Sequence, residues 1–283
     1  MVIFKHTVDL QSWLQGQRVG GRHTGFVPTM GALHPGHVSL VEKARAECDI
    51  VAASIFVNPT QFNNPSDFEK YPVTIESDIR MLVAAGADLL FLPGVADIYP
   101  EGLDSLPHYD LGFLETVLEG RYRPGHFQGV CQVVHLLLKA VQPDRLYMGQ
   151  KDYQQCMVID QLIRTENLPV ELVVMPTLRE PDGLAMSSRN MRLDAGQRAL
   201  ATHISRVLYG IRNDLAIGAL EWLRSRGQSE LEALGFQVDY VEISDARTLE
   251  PVSDWDGRRP LVALVAAFLG EVRLIDNLLL TPE

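Results

Sequence analysis

Over the first 176 positions the apolar residues fall in short unbroken runs, and the mixed stretches between them repeat with a helical period. TGFVPT (24–29), DIVAASIFV (49–57), ADLLFLP (87–93), RLYMGQ (145–150) and ELVVMP (171–176) are rich in β-branched or aromatic residues. Each is bounded by Gly, Pro or Asp, which predicts a buried strand. The segments 36–47, 74–85, 126–142 and 153–166 read as helices; in 126–142, Val130, Val133, Val134, Leu137, Leu138 and Val141 recur at helical spacing. Strands apolar on both faces and alternating with helices predict an α/β, Rossmann-like doubly wound parallel sheet. Ligands in such sheets bind beyond the carboxyl ends of the strands.

The rhythm changes near residue 176. LREPDGLAMSSRN is polar and turn-rich, two helical stretches follow (194–215 and 218–234), and then come the strands QVDYVEIS, LVALVAAFL and VRLIDNLLL. Gly270-Glu271 reads as a hairpin turn between the last two. The expected division is therefore a first domain over 1–176 and a smaller C-terminal α+β domain over 177–283.

Several predicted strand ends carry more polar chemistry than a connection needs. PTMGALHPGH leaves the first strand through Gly31, opens a helix at Pro35 and sets His34 and His37 three residues apart. A helix N-terminus with unused backbone N–H groups is an anion site, Gly31 and Gly36 let backbone approach a phosphate, and two imidazoles there suit a phosphoryl group gaining charge. The same residues also suit a plain Gly-rich turn, or a zinc pair lacking HExxH and an obvious third ligand. SIFVNPTQF places Asn58 and Gln61 astride a turn, where amides recognise hydroxyls and carboxylates; alone it is a turn. YMGQKDYQQ offers Lys151 to a phosphate or carboxylate, with Asp152 and Gln155 beside it, or is a solvated helix start. LAMSSRN adds two hydroxyls and Arg189, suited to a loop closing on a triphosphate or to a linker.

Composition narrows the partners. A formal charge of −11 argues against a general nucleic-acid or anionic-membrane surface. Cys48, Cys131 and Cys156 are scattered with no CxxC, which suits a reducing cytoplasm and no disulfide framework or structural zinc. No signal peptide is read at MVIFKHTVDLQSWL, and the apolar VVHLLLKAV is broken by His135 and Lys139. Neither G-x-x-x-x-G-K-[ST] nor a strand-following G-x-G-x-x-G occurs, so a P-loop and the usual dinucleotide fingerprint are excluded. Together, three strand ends and one loop that all carry groups suited to phosphate or small polar acids favour nucleotide-dependent chemistry on a small anionic substrate.

Taken in order along the chain, PTMGALHPGH, SIFVNPTQF, RPGHFQGV, QPDRLYMGQKDYQQ, DGLAMSSRN, VDYVEISDARTLEP and RLIDN resemble the pantoate–β-alanine ligase family over essentially the whole length. The His-x-Gly-His element also resembles the signature of the wider nucleotidylyl-transferase superfamily, MSSRN standing where class I synthetases have a mobile loop. The resemblance implies that Met30, Gly31, Ala32, Leu33, His34, Pro35, Gly36 and His37 contact ATP, with His34 and His37 stabilising the α-phosphate and His37 as proton donor. It implies ATP contacts from Gly149, Gln150, Lys151, Asp152, Leu178, Met186, Ser187, Ser188 and Arg189, with Lys151 among the catalytic groups. Gln61 would hold pantoate and β-alanine, Gln155 pantoate, and Asn58 and Arg123 lie in matching motifs. The implied reaction is adenylation of pantoate by Mg-ATP, then attack of β-alanine on the acyl adenylate, with ATP and its Mg2+ as substrate and no tightly bound cofactor or protein metal site. A homodimer and a C-terminal lid domain are implied as well.

Gln132 and Leu136 depart from the family's usual Thr and Lys, and Phe268 stands where an Arg is common. Two rivals are kept: a nucleotidylyltransferase that stops at the nucleotide adduct, and a non-catalytic nucleotide-binding module. NPTQF and the two glutamines favour the ligase over the first; the presence of His34, His37, Lys151 and Arg189 argues against the second.

Overall fold

The structure is a computed structural model and describes residues 1–62, 68–103 and 106–280. The chain divides into two compact units. The first comprises Met1–Gly149 and Gln154–Pro176, and the second Gln150–Tyr153 and Thr177–Glu283. The four residues Gln150–Tyr153 therefore group with the second unit although they precede residue 176.

The first unit is built on a six-stranded parallel sheet of β1 (Val2–Phe4), β2 (Thr24–Thr29), β3 (Ile50–Ile55), β4 (Leu89–Phe91), β5 (Arg145–Gly149) and β6 (Glu171–Met175), in the order β1-β4-β3-β2-β5-β6. The doubly wound α/β expectation is met. The inner strand β3 is buried at every position and β2 at all but Pro28, as strands covered on both faces must be. The edge strands β1 and β6 are largely half-buried or exposed. The strand order reverses between β2 and β5, so the switch point lies where two of the polar motifs leave the sheet.

The helices of this unit are α1 (Thr7–Arg18), α2 (Pro35–Glu47), α3 (Ile75–Ala84), the short α4 (Val95–Ile98) and α5 (Leu118–Tyr122), α6 (His126–Val141) and α7 (Tyr153–Thr165). On one face of the sheet Leu40, Val41 and Ala44 of α2 and Leu82 of α3 pack with Val27, Val51, Ala53, Leu90 and Tyr147. Helix α6 is buried over most of its length and packs with α1, which contributes Leu10 and Leu14. The expectation from sequence omitted β1 and α1. Three residues of strand, and a helix with two buried apolar positions one turn apart, give too thin a periodic signal.

In the second unit β8 (Gln237–Asp245), β10 (Leu261–Leu269) and β11 (Val272–Leu279) form an antiparallel sheet with β10 central, beside a small pair of β7 (Gly218–Ala219) and β9 (Asp254–Trp255). Helices α8 (Ala195–Asn213) and α9 (Glu221–Ala233) bury Ile204, Leu208, Leu223 and Leu231 in one core with Val241, Val265 and Ala267. The expected α+β arrangement is present. The β10–β11 turn falls at Gly270-Glu271, with Gly270 at φ +59°.

Candidate active site

The chain leaves β2 into a loop whose backbone is left-handed at two successive residues, Gly31 (φ +83°) and Ala32 (φ +48°). A nest of this kind presents consecutive N–H groups to an anion. The anion it holds is a side chain of the same unit. Asp78 of α3, 1% exposed, accepts the N–H of Ala32 at Oδ2 (3.0 Å) and of Leu33 at Oδ1 (2.9 Å), with the Thr74 hydroxyl also on Oδ1 (3.0 Å). A Cβ at Gly31 would lie 3.1 Å from Asp78 Oδ2 and from Ile55 Cγ2, so glycine is required by both dihedral and space. The N–H of Gly31 is taken by Thr29 Oγ1 (3.2 Å).

His34 is the N-cap of α2 and Pro35 opens the first turn. His34 Nδ1 accepts the Gly36 N–H (3.2 Å) and His37 Nδ1 accepts the His34 N–H (3.3 Å), an imidazole version of the capping box. The His37 and Val38 N–H groups go to the His34 carbonyl (2.8 and 3.2 Å). This corrects the expectation of unused backbone N–H groups between Gly31 and Val38: protein atoms fill them. With both Nδ1 atoms accepting, the donor proton of each neutral ring sits on Nε2, on the opposite side of the ring. The two rings lie 4.0 Å apart between centroids, tilted by 42°.

Beyond β3, the 3-10 turn Pro59–Gln61 is fastened to α6. Asn58, 1% exposed, accepts the Tyr99 hydroxyl (2.7 Å) at Oδ1 and donates through Nδ2 to the Gly129 carbonyl (3.1 Å), Thr60 Oγ1 (3.0 Å) and Gln61 Oε1 (3.2 Å). Its amide is consumed inside the protein, so Asn58 holds the turn and, through Oε1, the Gln61 side chain. A Cβ at Gly129 would collide with the Thr60 carbonyl and lie 2.9 Å from Gln61 Cα, so only glycine admits this approach. Gln61 Nε2 reaches Met30 Sδ (2.8 Å), joining the β2 and β3 loops. Behind it, buried His126 donates from Nδ1 to the Gln61 carbonyl (2.9 Å) and accepts from Arg123 Nη1 at Nε2 (3.0 Å). Arg123 also reaches the Gln61 carbonyl (3.4 Å) and pairs with Glu119 (3.6 Å).

After Gly149 the adjacent glutamines of α7 divide sharply. Gln154, 3% exposed, donates to the carbonyls of Leu114 (2.7 Å) and Val117 (2.9 Å) and accepts the Glu119 N–H (3.0 Å). Gln155 is half-buried, and among the described residues its side-chain amide has no protein partner. Of the two, only Gln154 spends its amide on the protein.

In the second unit the 3-10 turn Gln150–Asp152 is tied to β11. Buried Asn277 donates to the carbonyls of Gln150 (2.9 Å) and Lys151 (2.8 Å) and accepts from Gln150 Nε2 (3.2 Å). Lys151 Nζ lies 3.8 Å from Asp152 Oδ1. Arg179 holds Asp276 through two bonds (2.6 and 3.0 Å) and also reaches the Asn277 carbonyl (3.1 Å). Burial pushes the Asp276 carboxyl up, and the Arg179 guanidinium opposes that shift. Leu178 and Met186 face each other across a short hairpin closed by Met186 N–H to the Leu178 carbonyl (3.0 Å). Ser187 caps the following 3-10 turn, accepting the Arg189 N–H (3.3 Å), and Ser188 is buried. Each candidate of this unit thus lies on a turn with its own backbone bonds.

The three departures lie off these loops. Gln132 donates to the Pro107 carbonyl (3.0 Å), and Leu136 is a half-buried position of α6. Phe268 lies across the β10–β11 hairpin from Arg273, whose guanidinium carbon is 6.0 Å from its ring centroid. Among the described residues no group of three or more His, Cys, Asp or Glu could hold a metal ion. All three cysteines are buried, and burial pushes the Cys131 thiol up to about 12. Asp78, His126 and Asn277 were not anticipated from sequence.

The chain is similar to known proteins over its full extent. The model of the family described as pantoate-beta-alanine ligase matches residues 2–279. The pantothenate synthetase of Bacteroides thetaiotaomicron is 44% identical over 275 residues, covering 96% of this chain and 97% of that protein. That of Shewanella oneidensis is 43% identical over 279 residues, covering 98% and 99%. A crystal structure of pantothenate synthetase from Thermus thermophilus superposes with a TM-score of 0.90 at 42% identity, covering both chains completely. One of pantoate-beta-alanine ligase from Francisella tularensis, complexed with beta-gamma ATP and beta-alanine, gives 0.83 at 38% identity, covering 99% of this chain and 98% of that one.

Proposed function

We propose that this chain, which belongs to the pantoate–β-alanine ligase family, condenses pantoate with β-alanine while cleaving ATP to AMP and pyrophosphate. The observation that carries the reading is the capped His34–His37 pair at the carboxyl end of β2, its Nδ1 atoms bonded to backbone N–H groups and its rings 4.0 Å apart.

The first step forms a bond from a pantoate carboxylate oxygen to the α-phosphorus and breaks the bond to pyrophosphate. Charge builds on the α-phosphate oxygens, and fixed Nε2–H donors from His34 and His37 stabilise it without reorganising. His37 is the residue assigned as proton donor. In the second step the β-alanine amine attacks the acyl carbon and AMP departs. Neither step requires a protein nucleophile, in keeping with three buried cysteines. The unengaged amide of Gln155 and the fixed Gln61 are assigned to pantoate, Gln61 also to β-alanine. ATP is assigned to the Met30–His37 loop, Gly149, the Gln150–Asp152 turn, Leu178 and Met186–Arg189.

A divalent cation, taken as Mg2+, enters with ATP on its phosphate oxygens as part of the substrate. Residues 1–176 are assigned to binding nucleotide and substrate and 177–283 to a lid, with loop 184–190 excluding water from the adenylate. The working state is assigned as a cytoplasmic homodimer; among the described residues no helix is long and apolar enough to cross a membrane.

The test is pyrophosphate release from Mg-ATP and pantoate, with and without β-alanine, tracking AMP and pantothenate. Pantoate-dependent pyrophosphate, with AMP and pantothenate released only once β-alanine is present, is the expected result. Pyrophosphate with no amide product after β-alanine is added would indicate an enzyme that stops at nucleotidyl transfer.

A further inference from the structure

Asn277 lies on β11, 2% exposed, opposite Leu264 of β10. All three of its side-chain hydrogen bonds go to two residues more than a hundred positions earlier, Gln150 and Lys151. Two of them hold the carbonyls at the start of the 3-10 turn that carries the Lys151 ammonium. The backbone of Asn277 is itself locked. Its N–H goes to Asp276 Oδ1 (2.8 Å) and its carbonyl accepts from Arg179, which also grips the Asp276 carboxylate.

We propose that Asn277 is the positioning residue for Lys151: its amide transmits the rigidity of the β11 sheet, through the Arg179–Asp276 pair, to the turn that aims the ammonium. The inference rests on the reading of Lys151 as a phosphate ligand. A point charge on a four-carbon stem has little intrinsic geometry, so its aim depends on the backbone below it. An amide is suited to this task. Its two N–H groups bind two carbonyls at once while its oxygen takes the Gln150 side chain, which neither a carboxylate nor a hydroxyl can match.

A double-mutant cycle separates positioning from a general structural role. kcat/KM for ATP in pantoate-dependent pyrophosphate release is measured for the parent, Asn277→Ala, Lys151→Ala and the double variant, with thermal unfolding of each. Asn277→Ala is expected to lose about 10- to 100-fold when Lys151 is present, the range for a displaced catalytic group. In the Lys151→Ala background the same change should cost less than about 3-fold, because the group it aims is gone. Equal losses in the two backgrounds would show that Asn277 merely supports the fold, and no loss beside a strong Lys151→Ala defect would overturn the proposal directly. If Lys151→Ala alone is as active as the parent, the phosphate reading of the turn fails, and that outcome is distinct from the other two. Should Asn277→Ala not unfold cooperatively, Asn277→Ser, which keeps one donor, enters the same cycle with a smaller expected loss and the same criterion of non-additivity.

Discussion

Replacing Asp78 by Asn keeps the shape of the side chain but removes its charge and one acceptor. The carboxylate takes three donors: the Ala32 N–H on one oxygen, the Leu33 N–H and the Thr74 hydroxyl on the other. Placed either way, an amide turns its NH2 toward one of the two backbone N–H groups, and that buried donor loses its acceptor. A lost charge-assisted bond and an unsatisfied buried donor overlap in the same atoms, so together they amount to about 2–4 kcal/mol. For a unit of this size each kcal/mol corresponds to about 2–4 °C, so the first unit's midpoint in calorimetry at pH 7 should fall by at least about 4 °C. The second consequence is chemical. Ala32 is a non-glycine residue held left-handed by this carboxylate, and releasing it lets the loop relax and carries His34 away from its cap position. Pantoate-dependent pyrophosphate release at saturating ATP should therefore drop by about 10-fold or more in protein that is still folded. A variant with the parent's midpoint and the parent's rate would show that the loop holds its shape unaided, and the role given to Asp78 would be wrong.

The glutamine pair of α7 makes a contrast within one helical turn: Gln155→Ala should raise KM for pantoate by about 10-fold while moving stability by less than about 0.5 kcal/mol. Gln154→Ala should do the reverse, losing about 2–4 kcal/mol by stranding the Glu119 N–H and two carbonyls in the interior, with the pantoate KM little changed. Stability should also fall in mild acid through His135, which is buried and shares a hydrogen bond between Nδ1 and the Tyr109 hydroxyl (2.7 Å). Burial and nearby Lys139 hold its pKa below the usual 6.5, so as pH drops through 6.5 the unfolded chain takes up the proton first and the native state loses ground. The midpoint of His135→Gln should show a shallower decline between pH 7 and 5 than the parent, and an equal decline would remove His135 from the cause.

The parts legible in sequence were those whose physics is local. Strands β2 and β3 are buried on both faces, so they read as apolar runs, and α6 shows its period because most of it is interior. The His34–His37 motif was legible for the same reason: cap, proline and paired imidazoles lie within four residues. What it hid was the occupant of the nest. Asp78 sits in IESDI beside exposed Glu76 and Ser77, 46 positions from the loop it binds, and looks like another solvated helix charge. Asn277 was hidden likewise, a lone polar residue in an apolar strand whose partners lie 126 and 127 positions earlier. One usable signal was overlooked. A glycine inside a strongly apolar helix is unfavourable by about 1 kcal/mol, so Gly129 points to a close approach of backbone, here the turn that presents Gln61.

The polar residues at these strand ends divide by burial. Asp78, Asn58, Gln154 and Asn277 bond to the protein and are almost fully buried; His34, His37, Gln61, Gln155 and Lys151 are half-buried and stand on what the first group fixes. A reaction carried out by positioning and charge stabilisation needs both kinds, because a donor is effective at a transition state only if it need not move to meet it. The second group is mostly imidazole and amide, with one ammonium. A cluster of fixed cations would bind ATP, adenylate, AMP and pyrophosphate alike, and uniform binding of that kind does not raise the rate. Under the assignment proposed above, imidazole and amide donors discriminate by geometry, so they would reward the charge distribution of the nucleotidyl transfer and release the products once that geometry is gone. On this argument, raising the positive charge of the β2 loop, as His34→Lys would, should tighten pyrophosphate binding while lowering turnover.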